Sequence, residues 1–123
     1  MLTPAERTSH INSIKSLPER LRNAVENLTD TQLDTPYRDG GWTVRQVVHH
    51  LADSHLNAHA RTRLALTENT PTIKPYDQDA WALLADYALP IEISLQLING
   101  LHLRWSVLWK SLSADAFART LHH

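Results

Sequence analysis

One stretch of this sequence decides the fold, and it reads Gly40-Gly41-Trp42-Thr43-Val44-Arg45-Gln46-Val47-Val48-His49-His50-Leu51-Ala52-Asp53-Ser54-His55. The two glycines permit a tight turn, because glycine accepts backbone angles that other residues avoid. Thr43 and Gln46 have the spacing of a capping box, in which each side chain bonds the backbone N–H of the other residue. A helix is therefore predicted to begin at Val44, with its faces set from the first turn.

The faces of this helix, which we expect to run to about Thr67, separate apolar from polar residues. At about 100° per residue, one arc is apolar and predicted to be buried; its members are Val44, Val47, Val48, Leu51, Ala58 and Ala65. Beside the arc runs a polar stripe at steps of four, three and four residues, which consists of His50, Ser54, Asn57 and Arg61. A stripe in that position faces a neighbouring helix or a cleft. His49 falls nearly opposite the arc and is predicted to be solvated, so the pattern favours His50 over His49 as a functional residue.

Two more long helices are predicted. The first opens with a capping box of Thr3 and Glu6, and an apolar seam runs on from Ile11 to Leu28 in steps near 3.5. Pro18 interrupts this seam, so the helix either kinks there or restarts; because the seam stays in phase across Pro18, one kinked helix is favoured. Between the first two long helices, residues 29–35 are predicted to form a short helical turn.

The third long helix is predicted from about Ile91 to Leu112, and a last turn capped by Ser113 follows over residues 114–118. The connection from Asn69 to Pro90 is too long for a tight hairpin, which allows a crossover with parallel helices on either side of it. A short helix is predicted within it, from Gln78 to Asp86. The connection is interpreted as an ordinary connector rather than as a lid over the polar stripe.

Composition restricts the function. A chain of 123 residues with 42% hydrophobic content forms one domain with a modest core, and a net charge of −1 indicates neither nucleic acid nor a membrane surface as partner. No apolar run is long enough to span a membrane and no signal-peptide pattern is present, so a cytoplasmic protein is expected. Without cysteine, a metal must be bound through imidazole nitrogen or oxygen.

The stretch from Thr35 to His55 resembles the signature of the DinB superfamily, and specifically of its YfiT-like branch. The resemblance continues through Lys74-Pro75-Tyr76-Asp77, Leu101-His102-Leu103-Arg104-Trp105 and Phe117-Ala118-Arg119-Thr120. It implies an all-α, up-down-down-up four-helix bundle, of which three main helices are expected in this chain. It also implies a metal-dependent hydrolase activity or, as in some relatives, a thiol S-transferase activity.

The resemblance further implies that His50 binds a divalent metal, zinc or nickel, together with an HxxxH pair on the family's last helix. The sequence stops at Leu121-His122-His123, where that helix would follow, so the pair is expected to be absent. His122 and His123 are expected to bind metal only adventitiously. A complete site would ionise a bound water for hydrolysis or hold a thiol as thiolate for transfer.

Other polar residues are candidates for substrate contact or for orienting His50. Ser54, Asn57 and Arg61 belong to its stripe, Asp53 is a candidate acceptor for its free ring nitrogen, and His102 could face the same cleft. His55 and His59 have HxxxH spacing, but a core histidine bonded to backbone is the simpler interpretation of His55.

Two classes of function follow. In the first, the protein is a metal-dependent hydrolase or thiol S-transferase that acts on small molecules. In the second, it is a non-catalytic bundle that forms an oligomer, most simply a dimer, or binds a partner through the apolar groove left by the expected missing helix.

Overall fold

The computed structural model describes residues 3–120, and three long helices make up most of this part of the chain. The long helices are α1 (Pro4–Val25), α3 (Val44–Thr67) and α5 (Ile91–Ser111); the short segments are α2 (Asp30–Leu33), α4 (Gln78–Trp81), a 3-10 helix (Ala85–Ala88) and α6 (Ala114–Thr120). The predicted all-α fold with three main helices is confirmed. The helix predicted from Gln78 to Asp86 is instead divided into α4 and the 3-10 helix. His122 and His123 lie outside the described residues.

Local capping explains where the helices begin. Thr43 and Gln46 form the predicted capping box at the start of α3, and Thr3 and Glu6 form the one that opens α1. Before α3 the chain turns at Gly40, whose φ of +73° lies in the left-handed region that favours glycine. Pro36 then pairs with Thr43 through an isolated bridge, which closes the loop.

Helices α1 and α5 are antiparallel. Near the start of α1, Arg7 donates through Nη2 to the carbonyl oxygens of Trp109 and Leu112 at the end of α5, at 2.6 and 2.7 Å. Near the other end of α1, Arg22 forms a bidentate pair with Glu92 in the first turn of α5, at 2.6 and 2.9 Å. The two contacts therefore fix the opposite directions of the helices.

Helices α3 and α5 are parallel, which the long connection allows and the family resemblance implies. Three contacts occur in the same order along both helices, and they join His49 to Ser94, His55 to His102, and Thr62 to Trp105. Because α1 is antiparallel to α5, the order of the first three long helices is up, down, down.

The short helix α6 occupies the corner of the bundle between α1 and α3. Phe117 is buried and lies edge-on to Trp109, while the guanidinium of Arg7 lies 4.6 Å from the centre of the Phe117 ring. Arg119 donates to the carbonyl oxygen of Glu68 at the end of α3, at 3.2 Å. Helix α6 therefore packs against α3 and the start of α1, while its Phe117 also contacts Trp109 of α5.

Pro18 lies inside α1 without ending it, as predicted. A proline has no backbone N–H, so the carbonyl of Ile14, four residues earlier, lacks its normal helical donor. His102 of α5 supplies a donor in its place, with Nδ1 2.7 Å from that oxygen. A side chain from α5 thereby replaces the backbone hydrogen bond that Pro18 cannot make.

The buried face of α3 is rotated about the helix axis relative to the predicted arc, by one residue position or about 100°. Its buried residues are Arg45, Val48, His49, Ala52, His59, Thr62 and Ala65. Val47, which the prediction placed in the core, is 38% exposed. The prediction was wrong here because it used hydrophobicity alone, whereas Arg45, His49 and Thr62 on this face have partners on other elements. No helix among residues 3–120 combines the length and apolar character needed to cross a membrane.

Candidate functional site

His50 is half-buried on α3 and is covered on one side by Trp42. The two rings lie edge-on, with centroids 5.0 Å apart and planes at 75°. The Nδ1 atom of His50 is buried and has no hydrogen-bond partner among residues 3–120. Because a buried polar nitrogen is normally paired, this atom is an available donor or ligand.

The other members of the polar stripe lie beyond His50 along the same side of α3. Ser54, Asn57 and Arg61 are all half-buried, which places polar groups at the edge of the bundle rather than in bulk water. Asn57 donates through Nδ2 to the carbonyl oxygen of Asp53 at 2.8 Å, within its own helix. The stripe therefore provides a hydroxyl, an amide and a guanidinium along the same side of α3 as one imidazole.

A second group of histidines lies inside the bundle. His55 Nδ1 is 2.6 Å from His102 Nε2, and His102 is 2% exposed. The carbonyl of Ile14 can only accept, so His102 carries a proton on Nδ1. Burial lowers the pKa of His102 and lowers that of His55 to about 4, with repulsion from His102 and His50 as smaller causes.

Both rings are therefore neutral near pH 7, and His55 donates from Nδ1 to the free Nε2 of His102. His102 thus lies in the core with both nitrogens partnered, and not on a shared cleft with His50 as predicted. The expected backbone partner of His55 is also absent from the described hydrogen bonds, because a second histidine takes its place.

His59 is a separate buried residue on α3. Its Nε2 accepts from Arg63 Nε at 2.9 Å, and burial, followed by the positive charges of Arg63 and Arg104, lowers its pKa. His55 and His59 consequently have different hydrogen-bond partners, and they do not form a shared metal site within residues 3–120.

His49 is buried, and the prediction that it is solvated was wrong. Its Nε2 donates to the carbonyl oxygen of Leu89 at 2.8 Å, so its Nδ1 accepts from the hydroxyl of Ser94 at 2.6 Å. The ring also lies 5.6 Å from that of Tyr87. Both nitrogens are used to attach α3 to the start of α5 and to the connection before it.

His49 belongs to a second stripe on α3, with Arg45 and Asp53 at steps of four. Arg45 Nη1 donates to the carbonyl oxygen of Leu89 at 3.1 Å, while Tyr87 donates its hydroxyl proton to Asp53 at 2.5 Å. Burial and this hydrogen bond raise the pKa of Tyr87. Asp53 therefore holds the connection and is not an acceptor for His50.

The same end of α3 carries the ion pairs of Arg45. Its Nε donates to Asp34 at 2.7 Å and its Nη2 to Asp30 at 3.1 Å, and these bonds raise the pKa of Arg45. An open cleft of about 710 Å³ borders this cluster, and Arg45, Tyr87 and Leu84 line part of it. His50 does not line it, so the cleft and the His50 stripe are separate features. The connection therefore covers the side of α3 that carries Arg45, His49 and Asp53 rather than forming a lid over His50.

The described residues fit one position of a metal site. Imidazole nitrogen is a ligand for zinc and nickel, and His50 offers one in its buried Nδ1, which has no partner among residues 3–120. Among residues 3–120, however, no group of three histidine, aspartate or glutamate side chains is arranged to hold a metal ion. A complete site therefore requires ligands from outside this part of the chain.

Comparison with known proteins identifies the family and the fold. The family model described as the DinB superfamily matches residues 13–123. A protein of Oceanobacillus iheyensis, named a putative metal-dependent hydrolase, is 59% identical over 113 residues, which are 92% of this chain and 66% of that protein. A protein of Bacillus cereus strain B4264 with the same description is 51% identical over 113 residues, 92% of this chain and 65% of that protein. The chain thus spans about two thirds of the length of these curated relatives.

A solved structure has the same fold. YfiT from Bacillus subtilis, described as a probable metal-dependent hydrolase with an unusual four-helix bundle topology, superposes with a TM-score of 0.91 at 49% sequence identity. The match covers 95% of this chain and 67% of that one.

Proposed function

Because the chain belongs to the DinB superfamily, we propose that it is a metal-dependent hydrolase acting on a small molecule, with His50 as a metal ligand. The observation that carries the proposal is the buried, unpartnered Nδ1 of His50 at the head of a half-buried polar stripe. We place the protein in the cytoplasm and expect the metal to be zinc or nickel.

The residues around His50 have roles that follow from their chemistry. A bound divalent metal would supply a water that is ionised near neutral pH. Ser54, Asn57 and Arg61 would hydrogen-bond the oxygen atoms of a substrate, and the Trp42 ring would fix the orientation of the imidazole. The ligands that complete the site would come from outside residues 3–120. Thiol S-transfer, which would use the same metal to hold a thiolate, stays a prediction.

Metal binding by tag-free protein tests this proposal. Elemental analysis after incubation with Zn²⁺ or Ni²⁺ should find metal in the wild-type protein and in His10→Ala, whose histidine lies exposed on α1, but not in His50→Ala. Equal metal content in all three proteins would contradict the role of His50.

Trp42 gives an independent readout at the site itself. Since its ring lies 5.0 Å from His50, Ni²⁺ bound there should quench its emission. The quench should be lost in His50→Ala and reduced in Trp42→Phe. A wild-type protein that binds neither metal would contradict the proposal and favour the alternative, a non-catalytic bundle that works through assembly or a partner.

A further inference from the structure

We infer that Arg61 binds an anionic group of the substrate, a carboxylate or a phosphate, at the opposite end of the polar stripe from His50. The substrate is then an elongated small molecule, with its reacting bond at His50 and its negative charge about three helical turns away. The position of the reacting bond rests on the proposed function, whereas the anion site itself does not depend on a metal.

Arg61 differs from the other arginines of the bundle because it has no partner. Four arginines among residues 3–120 are buried or half-buried, and they are Arg7, Arg22, Arg45 and Arg61. The first three donate to backbone carbonyls or to carboxylates. Arg61 makes no hydrogen bond within this part of the chain, and none of its nitrogen atoms is among the buried unpaired ones. Its guanidinium is therefore open to a ligand from solvent.

The neighbours of Arg61 on α3 do not neutralise its charge. Residues three and four positions away lie beside it on the helix. None of them is acidic; they are Asn57, Ala58, Leu64 and Ala65. The single acidic residue of α3 is Asp53, whose carboxylate accepts from the Tyr87 hydroxyl on another side of the helix. A half-buried positive charge without a carboxylate beside it favours an anion as ligand.

The polar groups between His50 and Arg61 are available as well. Thr62 and Thr67 of the same helix donate their hydroxyls to carbonyl oxygens four residues earlier, whereas Ser54 makes no such bond. Asn57 uses one N–H on the carbonyl of Asp53, which holds its amide and leaves its Oδ1 to accept. A molecule that lies along the stripe therefore meets neutral hydrogen-bonding groups between its two ends.

The length of the stripe sets the size of the molecule. His50 and Arg61 are eleven residues apart, which separates their α-carbons by about 16 Å along the helix. Long side chains on a helix lean toward its N-terminus, so we expect the guanidinium to lie closer to His50 than its α-carbon does. The planar fork of arginine matches the two oxygens of a carboxylate or phosphate. A compound with only one short polar group could not contact both ends.

Titration with anions in the absence of metal tests the site. Inorganic phosphate or acetate should shift the Arg61 Nε–H signal and the backbone amides of residues 57–61 to saturation in NMR spectra. Arg61→Gln should weaken this binding by about tenfold or more, which corresponds to one hydrogen bond to a charged group. Arg61→Lys should retain part of it, because lysine keeps the charge but not the planar fork. Arg104→Gln is the matched control, since Arg104 is an exposed arginine on α5.

Two outcomes would overturn the anion site. The first is a shift that stays linear with both anions, or an equal weakening in Arg61→Gln and Arg104→Gln. The second is an Arg61 signal that neither anion moves, together with a Tm for Arg61→Gln well below that of Arg104→Gln. That result would show that Arg61 pairs with an acidic side chain outside residues 3–120 and stabilises the fold instead.

Hydroxamates with a carboxylate at the end of an alkyl chain test the distance between the two ends. In zinc-loaded protein the hydroxamate should bind the metal, and the carboxylate should reach Arg61 once the chain is long enough. The best chain should then bind about tenfold more tightly than its methyl ester, and this ratio should fall to about one in Arg61→Gln. A ratio of one at every chain length would overturn the elongated substrate. Failure to bind zinc would contradict the proposed function alone, because the phosphate titration needs no metal.

Discussion

His50 and His55 lie five residues apart on the same helix and have opposite surroundings. His55 donates to His102 inside the bundle, and His102 in turn donates to a backbone carbonyl, so this chain of hydrogen bonds joins three helices. His50 lies at the edge, and its buried Nδ1 has no partner among residues 3–120. His59 also has a buried Nδ1 without a partner in this part of the chain, but it lies in the core, whereas His50 is half-buried at the head of the polar stripe. The difference teaches that neither burial nor an unused nitrogen identifies a functional histidine by itself; the unused nitrogen must also lie at the edge of the bundle beside other polar groups.

The largest expected effect comes from breaking the inner pair. His102→Ala removes a buried ring, opens a cavity and leaves both the Ile14 carbonyl and the His55 N–H without partners. We expect a loss of about 3–5 kcal/mol in the free energy of unfolding. Urea unfolding would measure it, with His10→Ala as a surface control that should stay within about 0.5 kcal/mol of wild type. A cost for His102→Ala as small as the control's would refute the structural role of the pair.

The second-largest effect is expected from acid, which should lower the stability of the fold through the buried histidines His55, His102 and His59. Burial lowers the pKa of His55 from 6.5 to about 4 and lowers those of His102 and His59, whereas all three titrate normally in the unfolded chain. Between pH 6.5 and 4 the unfolded state therefore binds more protons, so stability falls as the pH falls through this window. The Tm measured from pH 7.5 to 4 should be flat above about pH 7 and decline below it. An NMR titration in which His55 protonates near its ordinary pKa would contradict this account.

A smaller effect tests why His102 donates to Ile14. Pro18→Ala restores a backbone N–H for the Ile14 carbonyl, so His102→Ala should be less damaging in that background. A double-mutant cycle should give a coupling free energy of about 1 kcal/mol between the two positions. Additive effects would show that the carbonyl does not depend on His102.

The smallest effect on stability is expected at the outer histidine. His50→Ala removes a half-buried ring whose Nδ1 has no partner in the described part of the chain, so the free energy of unfolding should change by less than about 1 kcal/mol. Urea unfolding would measure the stability of His50→Ala, and a Ni²⁺ titration would measure its metal binding. We expect metal binding to be lost while the fold persists. A large destabilisation would move His50 into the same class as His102.

The helices could be predicted from the sequence because their signals are local. The capping boxes at Thr3 and Thr43 involve residues three apart, and the phase of the seam across Pro18 predicted a continuous first helix. The long connection allowed a parallel pair, since a short loop cannot return the chain to the same end of the bundle, and the family resemblance implied that order.

The burial of His49 and Arg45 could not be predicted in the same way. Their partners, such as Ser94 and Asp34, come from distant parts of the sequence, and an arc drawn from hydrophobicity treats both residues as solvent-facing. The sequence does contain one indication that His102 is buried. A proline inside a helix leaves the carbonyl four residues earlier without a donor, and a polar residue on a packing helix is the natural replacement.

The parallel arrangement of α3 and α5 also has an electrostatic consequence. Each helix carries about half a positive charge at its N-terminus, and here the two N-termini lie at the same end of the bundle. Asp30, Asp34 and Glu92 are found at that end. The negative C-terminal end of the antiparallel α1 offsets one of the two positive ends, and Arg22 of α1 already pairs with Glu92. Asp30 and Asp34 are the carboxylates left to balance the remaining positive end together with the buried charge of Arg45.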